Sequence, residues 1–154
     1  MKKPTKEQQA AIEEVKRAYS PATPPEPPAA EAMGPGRTAL FETSDVVYIS
    51  GPMTGRPLCN HPKFFGLAGL IEKMYGCRVL NPARRPLGLS YARYMELSLA
   101  DIRQATAVVQ LRGWKTSRGA RAECLEALQH NLRLIEEESL LAEIADIMEE
   151  LVIK

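Results

Sequence analysis

The sequence predicts an α/β domain built on a doubly wound parallel sheet of four to five strands with flanking helices. Two observations predict this class. From residue 45 onward, short apolar runs alternate with longer segments whose apolar residues recur at helical spacing. The first two apolar runs end directly in Gly51 and in Asn81–Pro82, as expected where a buried strand gives way to a loop. The 154 residues suffice for one domain with a substantial core.

The predicted elements alternate regularly along this part of the chain. Gly76 is expected to end the first helix and Ser90 to cap the second. Such a Rossmann-like or flavodoxin-like sheet binds ligands beyond the carboxyl ends of its strands, so the loops after the strands are the expected site. The predicted strands are 45–50, 77–81, 107–111 and 132–135, and the predicted helices are 62–75, 90–104, 119–129 and 139–152.

The region before the alternating pattern divides into two segments. Residues 1–19 predict a short polar helix with a thin apolar stripe. Residues 20–38 are rich in proline and alanine, which is typical of a linker. The domain itself is therefore expected to cover residues 39–154.

Charge and composition exclude several classes of function. Twenty basic and nineteen acidic residues nearly cancel, so nucleic acid is not an expected partner. No apolar run is long enough to span a bilayer, and no apolar signal region follows the N-terminus, so we expect a cytoplasmic protein that does not bind membranes. The three cysteines, 59, 77 and 124, lack zinc-like spacing and are expected to be reduced. His61 and His130 have no ligand-like neighbours, and we expect neither a metal nor a cofactor.

Two loops carry the residues suited to a nucleoside site. The first is YISGPMTG at residues 48–55, and the second is SRGARAE at residues 117–123. The second places a serine and a glycine ahead of a helix, where free backbone N–H groups bind anions. Glu123 follows Ser117 by six residues, about 9 Å along a helix axis. That spacing suits a sugar whose phosphate or hydroxyl end is anchored at the turn.

These loops, with Asn81–Pro82 and the run GWKTSRGARAE at 113–123, resemble the nucleoside 2-deoxyribosyltransferase superfamily. The resemblance covers roughly residues 45–136. It is closest to the phage and prophage branch of uncharacterised domains, and 2′-deoxynucleoside 5′-monophosphate N-hydrolases share the same frame. It implies a retaining attack at the anomeric carbon, in which a glutamate displaces the base and water or a second base takes the sugar.

The resemblance also implies roles for individual residues. Glu123 matches the nucleophile, and Tyr48 matches the tyrosine that orients the nucleophile or its substrate. Ser98 stands where the superfamily has an aspartate, and Asp101, one turn later, is our candidate for the acid. Thr54 stands where the monophosphate hydrolases have an arginine, and Arg56 is close by in sequence. The candidate substrate-binding residues are Ser50, Gly51, Met53, Thr54, Gly55, Asn81, Trp114, Ser117 and Gly119.

Several of these residues also have a purely structural interpretation. Glu123 suits the dipole of a helix N-terminus, which would also favour its ionised form. Ser117 suits an N-cap, and Tyr48 suits a half-buried core position. Asp101 suits a solvated or ion-paired helix surface. Trp114 suits a lid, a subunit contact or a base-stacking position.

Three hypotheses about function follow. The first is an enzyme acting on the N-glycosidic bond of a deoxynucleoside or its monophosphate, with hydrolysis preferred to transfer because a small pocket with an imperfect acid still admits water. The second is a silent nucleotide-binding sensor, and the third is an assembly protein tethered through residues 1–37. The apolar stripe of the last helix either covers the sheet or forms a subunit contact. With the resemblance, it leads us to expect a homo-oligomer, a dimer or a tetramer.

Overall fold

The computed structural model describes residues 6–7 and 39–153, and residues 41–154 belong to one compact unit. Four strands and four α-helices alternate within this unit. The strands are β1 (Val46–Ser50), β2 (Arg78–Leu80), β3 (Ala107–Gln110) and β4 (Arg133–Glu136). The helices are α1 (His61–Tyr75), α2 (Tyr91–Ile102), α3 (Arg118–Gln129) and α4 (Glu137–Ile153).

The four strands form one parallel sheet in the order β2-β1-β3-β4. This confirms the predicted fold class, with four strands rather than five. β1 and β3 lie in the middle, and the side chains from Val47 to Ile49 and throughout β3 are buried. Because the chain passes outward from β1 to β2 and then returns to β3, the strand order reverses between β1 and β3. A crevice forms at such a reversal, at the carboxyl ends of the strands.

The helix boundaries follow the predicted signals closely. The Ser90 side chain accepts a hydrogen bond from the Arg93 N–H at 3.1 Å and caps α2 as predicted. Gly76 adopts a left-handed conformation (φ 68°) and its N–H reaches the Glu72 carbonyl, which ends α1. A left-handed end is typical of glycine, because other residues meet a steric penalty there.

Gly51 lies close against Leu111, where the two central strands end. A Cβ atom at Gly51 would stand 2.6 Å from the Cβ of Leu111, which is too close for any side chain. The Leu111 N–H also donates to the Ser50 carbonyl at 2.8 Å, which keeps the ends of β1 and β3 together. A glycine is therefore required where the first predicted site loop leaves the sheet.

The last helix divides its apolar residues between two stripes. Leu140 and Ile144 are buried, so part of α4 covers the sheet, as one of the two predictions for this helix stated. The Tyr75 hydroxyl of α1 also donates to Glu143 at 2.5 Å. A second stripe remains open, with Leu141 43%, Met148 52% and Val152 84% exposed.

Some predictions concern segments outside the described residues. Only Lys6 and Glu7 of the predicted N-terminal helix are described, and they are helical. The predicted linker lies wholly outside. Among the described helices, none combines the length and the apolarity needed to cross a membrane. Cys77 and Cys124 are buried and Cys59 is exposed, and none of these three cysteines forms a disulfide.

Candidate functional site

A cavity of about 330 Å³ opens at the carboxyl ends of β1 and β3. Its size lies within the range of small-molecule sites. Loops after β1, β2 and β3 form its walls, together with the first turns of α2 and α3. Six of the predicted site residues line it: Gly51, Met53, Thr54, Ser117, Gly119 and Glu123.

Glu123 is the buried acid of this cavity. It is the sixth residue of α3 and is only 3% exposed. The Tyr48 hydroxyl donates a hydrogen bond to its Oε2 atom, and the Ser50 hydroxyl donates to its Oε1 atom at 3.1 Å. Both donors belong to β1, so the central strand fixes the direction of a carboxylate carried by a neighbouring helix. A glutamate that served only the helix dipole would stand in the first turn and face solvent.

The protonation of Glu123 differs from the sequence-based expectation. Burial raises the pKa of its carboxyl from 4.5 to about 7, because the charged form loses its hydration. Hydrogen bonds from Tyr48, Ser50 and Ser98 and the charge of Arg85 act in the opposite direction. We expected the helix N-terminus to favour the ionised form of Glu123, but the net shift favours the protonated form. The helix dipole acts mainly within the first turn, and Glu123 lies beyond it.

Tyr48 lies beneath the cavity rather than on its wall. Its side chain is fully buried, and burial together with the neighbouring Glu123 charge raises the pKa of its hydroxyl well above the usual value. It therefore stays protonated and donates to Glu123 at any physiological pH. Tyr48 is therefore a core residue, fully rather than half buried, whose hydroxyl also contacts the Glu123 carboxylate.

The turn before α3 has the predicted cap. The Ser117 hydroxyl accepts a hydrogen bond from the Ala120 N–H at 3.2 Å. Ser117 and Gly119 both line the cavity. The first helical turn, whose N–H groups are not all bonded within the helix, therefore borders the same cavity as Glu123. Such N–H groups attract an anion or a hydroxyl oxygen.

Arg85 is a cavity residue that the sequence did not reveal. Its Nη1 atom donates to the Ser98 hydroxyl at 2.6 Å and to the Tyr94 carbonyl at 3.4 Å. Its Nη2 atom donates to Asp101 at 2.6 Å. The guanidinium also lies over the Tyr94 ring, 4.9 Å from its centre. Arg85 and its main partners come from separate elements, so no local motif connects them.

Asp101 has a different position from the one expected of an acid. It does not line the cavity, and its carboxylate forms an ion pair with Arg85. An acid that protonates a leaving group must face the substrate. Asp101 instead holds the guanidinium that does face the cavity.

The remaining predicted residues stand away from the cavity wall. The Asn81 side chain accepts from the Ala83 N–H at 3.0 Å and caps a short turn, and its Nδ2 atom is buried without a hydrogen-bond partner. Trp114 is buried beside a second, smaller cavity. Gly55 faces open space in a left-handed conformation, and Ser50 is buried against Glu123. Arg56, which is close to Thr54 in sequence, lies against Gly113.

Two loops complete the wall with residues that no motif indicated. Leu58, Cys59 and Asn60 all have left-handed backbones (φ 52°, 52° and 60°). Asn60 donates to the Pro52 carbonyl at 2.9 Å, which closes this turn and sets Cys59 against the cavity. The newly identified wall residues are Cys59, His61, Arg85, Tyr91 and Tyr94, with residues 86–89 of the loop after β2.

The donor set does not resemble a metal centre. Within residues 6–7 and 39–153, no three histidine, cysteine or carboxylate side chains cluster. The cavity instead combines one buried carboxyl, one ion-paired guanidinium and several hydroxyl and aromatic groups. This set suits a polar, ring-shaped ligand.

Comparison with known proteins identifies a family for this chain. A family model described as a domain of unknown function (DUF4406) matches residues 45–136. A search of curated proteins found no match. The matched region runs from the start of β1 to the end of β4, includes the whole cavity wall and covers more than half of the chain. The chain therefore belongs to the DUF4406 family.

Proposed function

We propose that this protein cleaves the N-glycosidic bond of a deoxynucleoside or its 5′-monophosphate, with Glu123 as the nucleophile. The observation that carries this proposal is the buried Glu123 carboxylate, held by the Tyr48 and Ser50 hydroxyls on the wall of a nucleoside-sized cavity. A carboxylate fixed by two donors and partly shielded from water is suited to attack at an anomeric carbon. The resemblance to nucleoside 2-deoxyribosyltransferases supports the same chemistry.

The reaction proceeds in two displacements. In the first, a Glu123 oxygen bonds to the anomeric carbon while the carbon–nitrogen bond breaks and its electron pair leaves with the base. In the second, water attacks the anomeric carbon of the ester and regenerates the carboxylate. The proton that water loses balances the one that the base gains. The Ser117–Gly119 turn binds the 5′ end of the sugar, at a hydroxyl or a phosphate.

The direct test measures release of free base by chromatography from a panel of deoxynucleosides and their monophosphates. Glu123→Gln keeps the shape of the side chain and removes the nucleophile. We expect release to fall at least about 1000-fold, as for loss of other enzymatic nucleophiles. Glu126→Gln is the matched control, because Glu126 lies on the same helix but pairs with Arg103 at 2.9 Å outside the cavity. Equal release from wild type and Glu123→Gln would contradict the proposal.

A second candidate function is a nucleotide-binding sensor without turnover. The observation that favours it is the ion pairing of Asp101, which leaves the cavity without a free carboxylic acid besides Glu123 among the described residues. The same panel separates the two functions. Binding measured by calorimetry, with no base released from any substrate, would support the sensor.

We further propose that the protein is a cytoplasmic homo-oligomer. The open stripe on α4, with Leu141, Met148 and Val152, supports self-association, because exposed apolar residues at this spacing form a continuous face. The resemblance supports it as well, since active sites in that superfamily are often completed by a neighbouring chain.

A further inference from the structure

We propose that Arg85 is the catalytic group that stabilises the departing base, which leaves as an anion rather than being protonated by a carboxylic acid. This inference rests on the proposed cleavage of the glycosidic bond and adds the leaving-group step to it. It assigns Asp101 and Ser98 as positioning residues for the guanidinium. It also names the preferred substrates, which are nucleosides whose bases form stable anions.

The first support is the geometry of the guanidinium. Arg85 lines the cavity with Glu123, and its side chain is 11% exposed. Hydrogen bonds to Ser98, Asp101 and the Tyr94 carbonyl use three N–H groups. Because a guanidinium has five N–H donors, two remain for a ligand. A group held by three partners keeps its direction and needs little reorganisation as charge develops.

The second support is the shortage of acids on the cavity wall. Among the described residues, Glu123 is the only carboxyl that lines this cavity. It must be ionised to act as the nucleophile, so it has no proton to give in the first step. Burial raises the pKa of the Tyr94 hydroxyl, which donates to the Met53 sulfur at 3.2 Å and is a weak acid in this position. The other wall side chains with a thiol, imidazole or phenol group are Cys59, His61 and Tyr91, and none of them is a carboxylic acid.

The electron balance of the step is simple. The electron pair of the breaking carbon–nitrogen bond stays on the base, and its negative charge spreads to a ring nitrogen or a carbonyl oxygen. The two remaining N–H groups of Arg85 donate to that atom. The anion then takes a proton from water after it has left the anomeric carbon. No acid of the protein loses a proton in this sequence.

The closing experiment measures the dependence of kcat/KM on the acidity of the base. The substrates are 2′-deoxy-5-fluorouridine, 2′-deoxyuridine and thymidine, with and without a 5′-phosphate, whose bases have similar shape and decreasing acidity. In Arg85→Gln, we expect release of thymine to fall about 100-fold or more, as when one donor to a developing anion is removed. Release of 5-fluorouracil should fall far less. The dependence of kcat/KM on the acidity of the base should therefore be steeper in Arg85→Gln than in wild type.

Further variants separate the effect of Arg85 from the effects of its neighbours. Arg85→Lys retains a charge and should restore part of the loss, and Asp101→Asn should steepen the plot less than Arg85→Gln. His61→Gln should leave the slope unchanged. A uniform loss across the three bases in Arg85→Gln, or a steeper slope only in His61→Gln, would overturn the role of Arg85 while leaving the proposed function standing. Absence of base release from wild type on all substrates would remove the proposed function itself.

Discussion

At the scale of single residues, the protonation of Glu123 governs the chemistry. Its carboxyl has a pKa of about 7 because burial outweighs the hydrogen bonds from three hydroxyl groups and the charge of Arg85. A nucleophile must be ionised, so the attacking form is lost as the pH falls below this value. We predict that kcat/KM rises with pH through about 7 and then levels off. A pH profile that falls over this range would instead assign Glu123 as a proton donor.

Tyr48 determines part of this pKa. Its hydrogen bond favours the ionised form of Glu123, so Tyr48→Phe should move the rise of kcat/KM to higher pH. It should also lower kcat about 100-fold, by analogy with loss of one donor in a preorganised site. Profiles of wild type and Tyr48→Phe from pH 5 to about 9 would measure both effects. An unchanged midpoint would contradict the role of Tyr48.

The same carboxyl makes stability depend on pH. Because the pKa of Glu123 in the folded state lies above its ordinary value of 4.5, the folded state retains a proton that the unfolded state has lost. This contribution is complete below about pH 4.5 and is lost as the pH rises through about 7. We predict that the melting temperature of Glu123→Gln rises relative to that of wild type as the pH increases from about 4.5 to about 7. Thermal melts at several pH values test this, and a constant difference would contradict it.

At the scale of elements, the close contact between the ends of β1 and β3 is the most demanding local feature. Gly51→Ala would place a methyl group 2.6 Å from Leu111 and should cost about 1–3 kcal/mol of unfolding free energy. Gly66→Ala is the matched control, because no atom lies within 4 Å of the added group in α1. It should stabilise the protein by about 0.5–1 kcal/mol through helix propensity. Urea unfolding measures both changes, and similar stabilities for the two variants would contradict this account.

Most element boundaries could be predicted because their signals are local. The Ser90 cap and the Gly76 terminus depend on residues adjacent in sequence, and both are found where expected. The turn at Leu58–Asn60 could not be predicted. None of its residues is glycine, yet all three are left-handed. Only the tertiary setting, including the bond from Asn60 to the Pro52 carbonyl, holds them in that conformation.

Part of the site could likewise be predicted from the sequence, and part could not. The six predicted wall residues lie in two sequence motifs, and the topology of the sheet brings those motifs together. Arg85 and Asp101 are separated by a loop and most of α2, so their ion pair depends on packing that no short motif encodes. The Asp101 side chain is partly exposed, and this also follows from its position on that helix. A sequence therefore indicates the carboxylate more readily than the cation that faces the same cavity.

At the scale of the whole molecule, the open stripe on α4 should control self-association. We predict that sedimentation of the wild-type protein gives a mass above the 17.1 kDa of one chain. The double variant Leu141→Gln, Met148→Gln should give a mass closer to that of one chain. Removing apolar area from the contact makes association less favourable. Leu87→Gln is the control, because Leu87 is 84% exposed beside the cavity rather than on α4. A wild-type protein at 17.1 kDa at all concentrations would contradict the oligomer.

The covalent ester that we propose between Glu123 and the sugar can be trapped. A deoxynucleoside with fluorine at the 2′ position slows hydrolysis of the ester, because the fluorine destabilises positive charge at the anomeric carbon. We predict that intact-mass spectrometry finds wild type heavier by one fluorinated sugar, that peptide mapping assigns it to Glu123, and that Glu123→Gln gains nothing. Release of base with no adduct, or an adduct on another residue, would contradict the account.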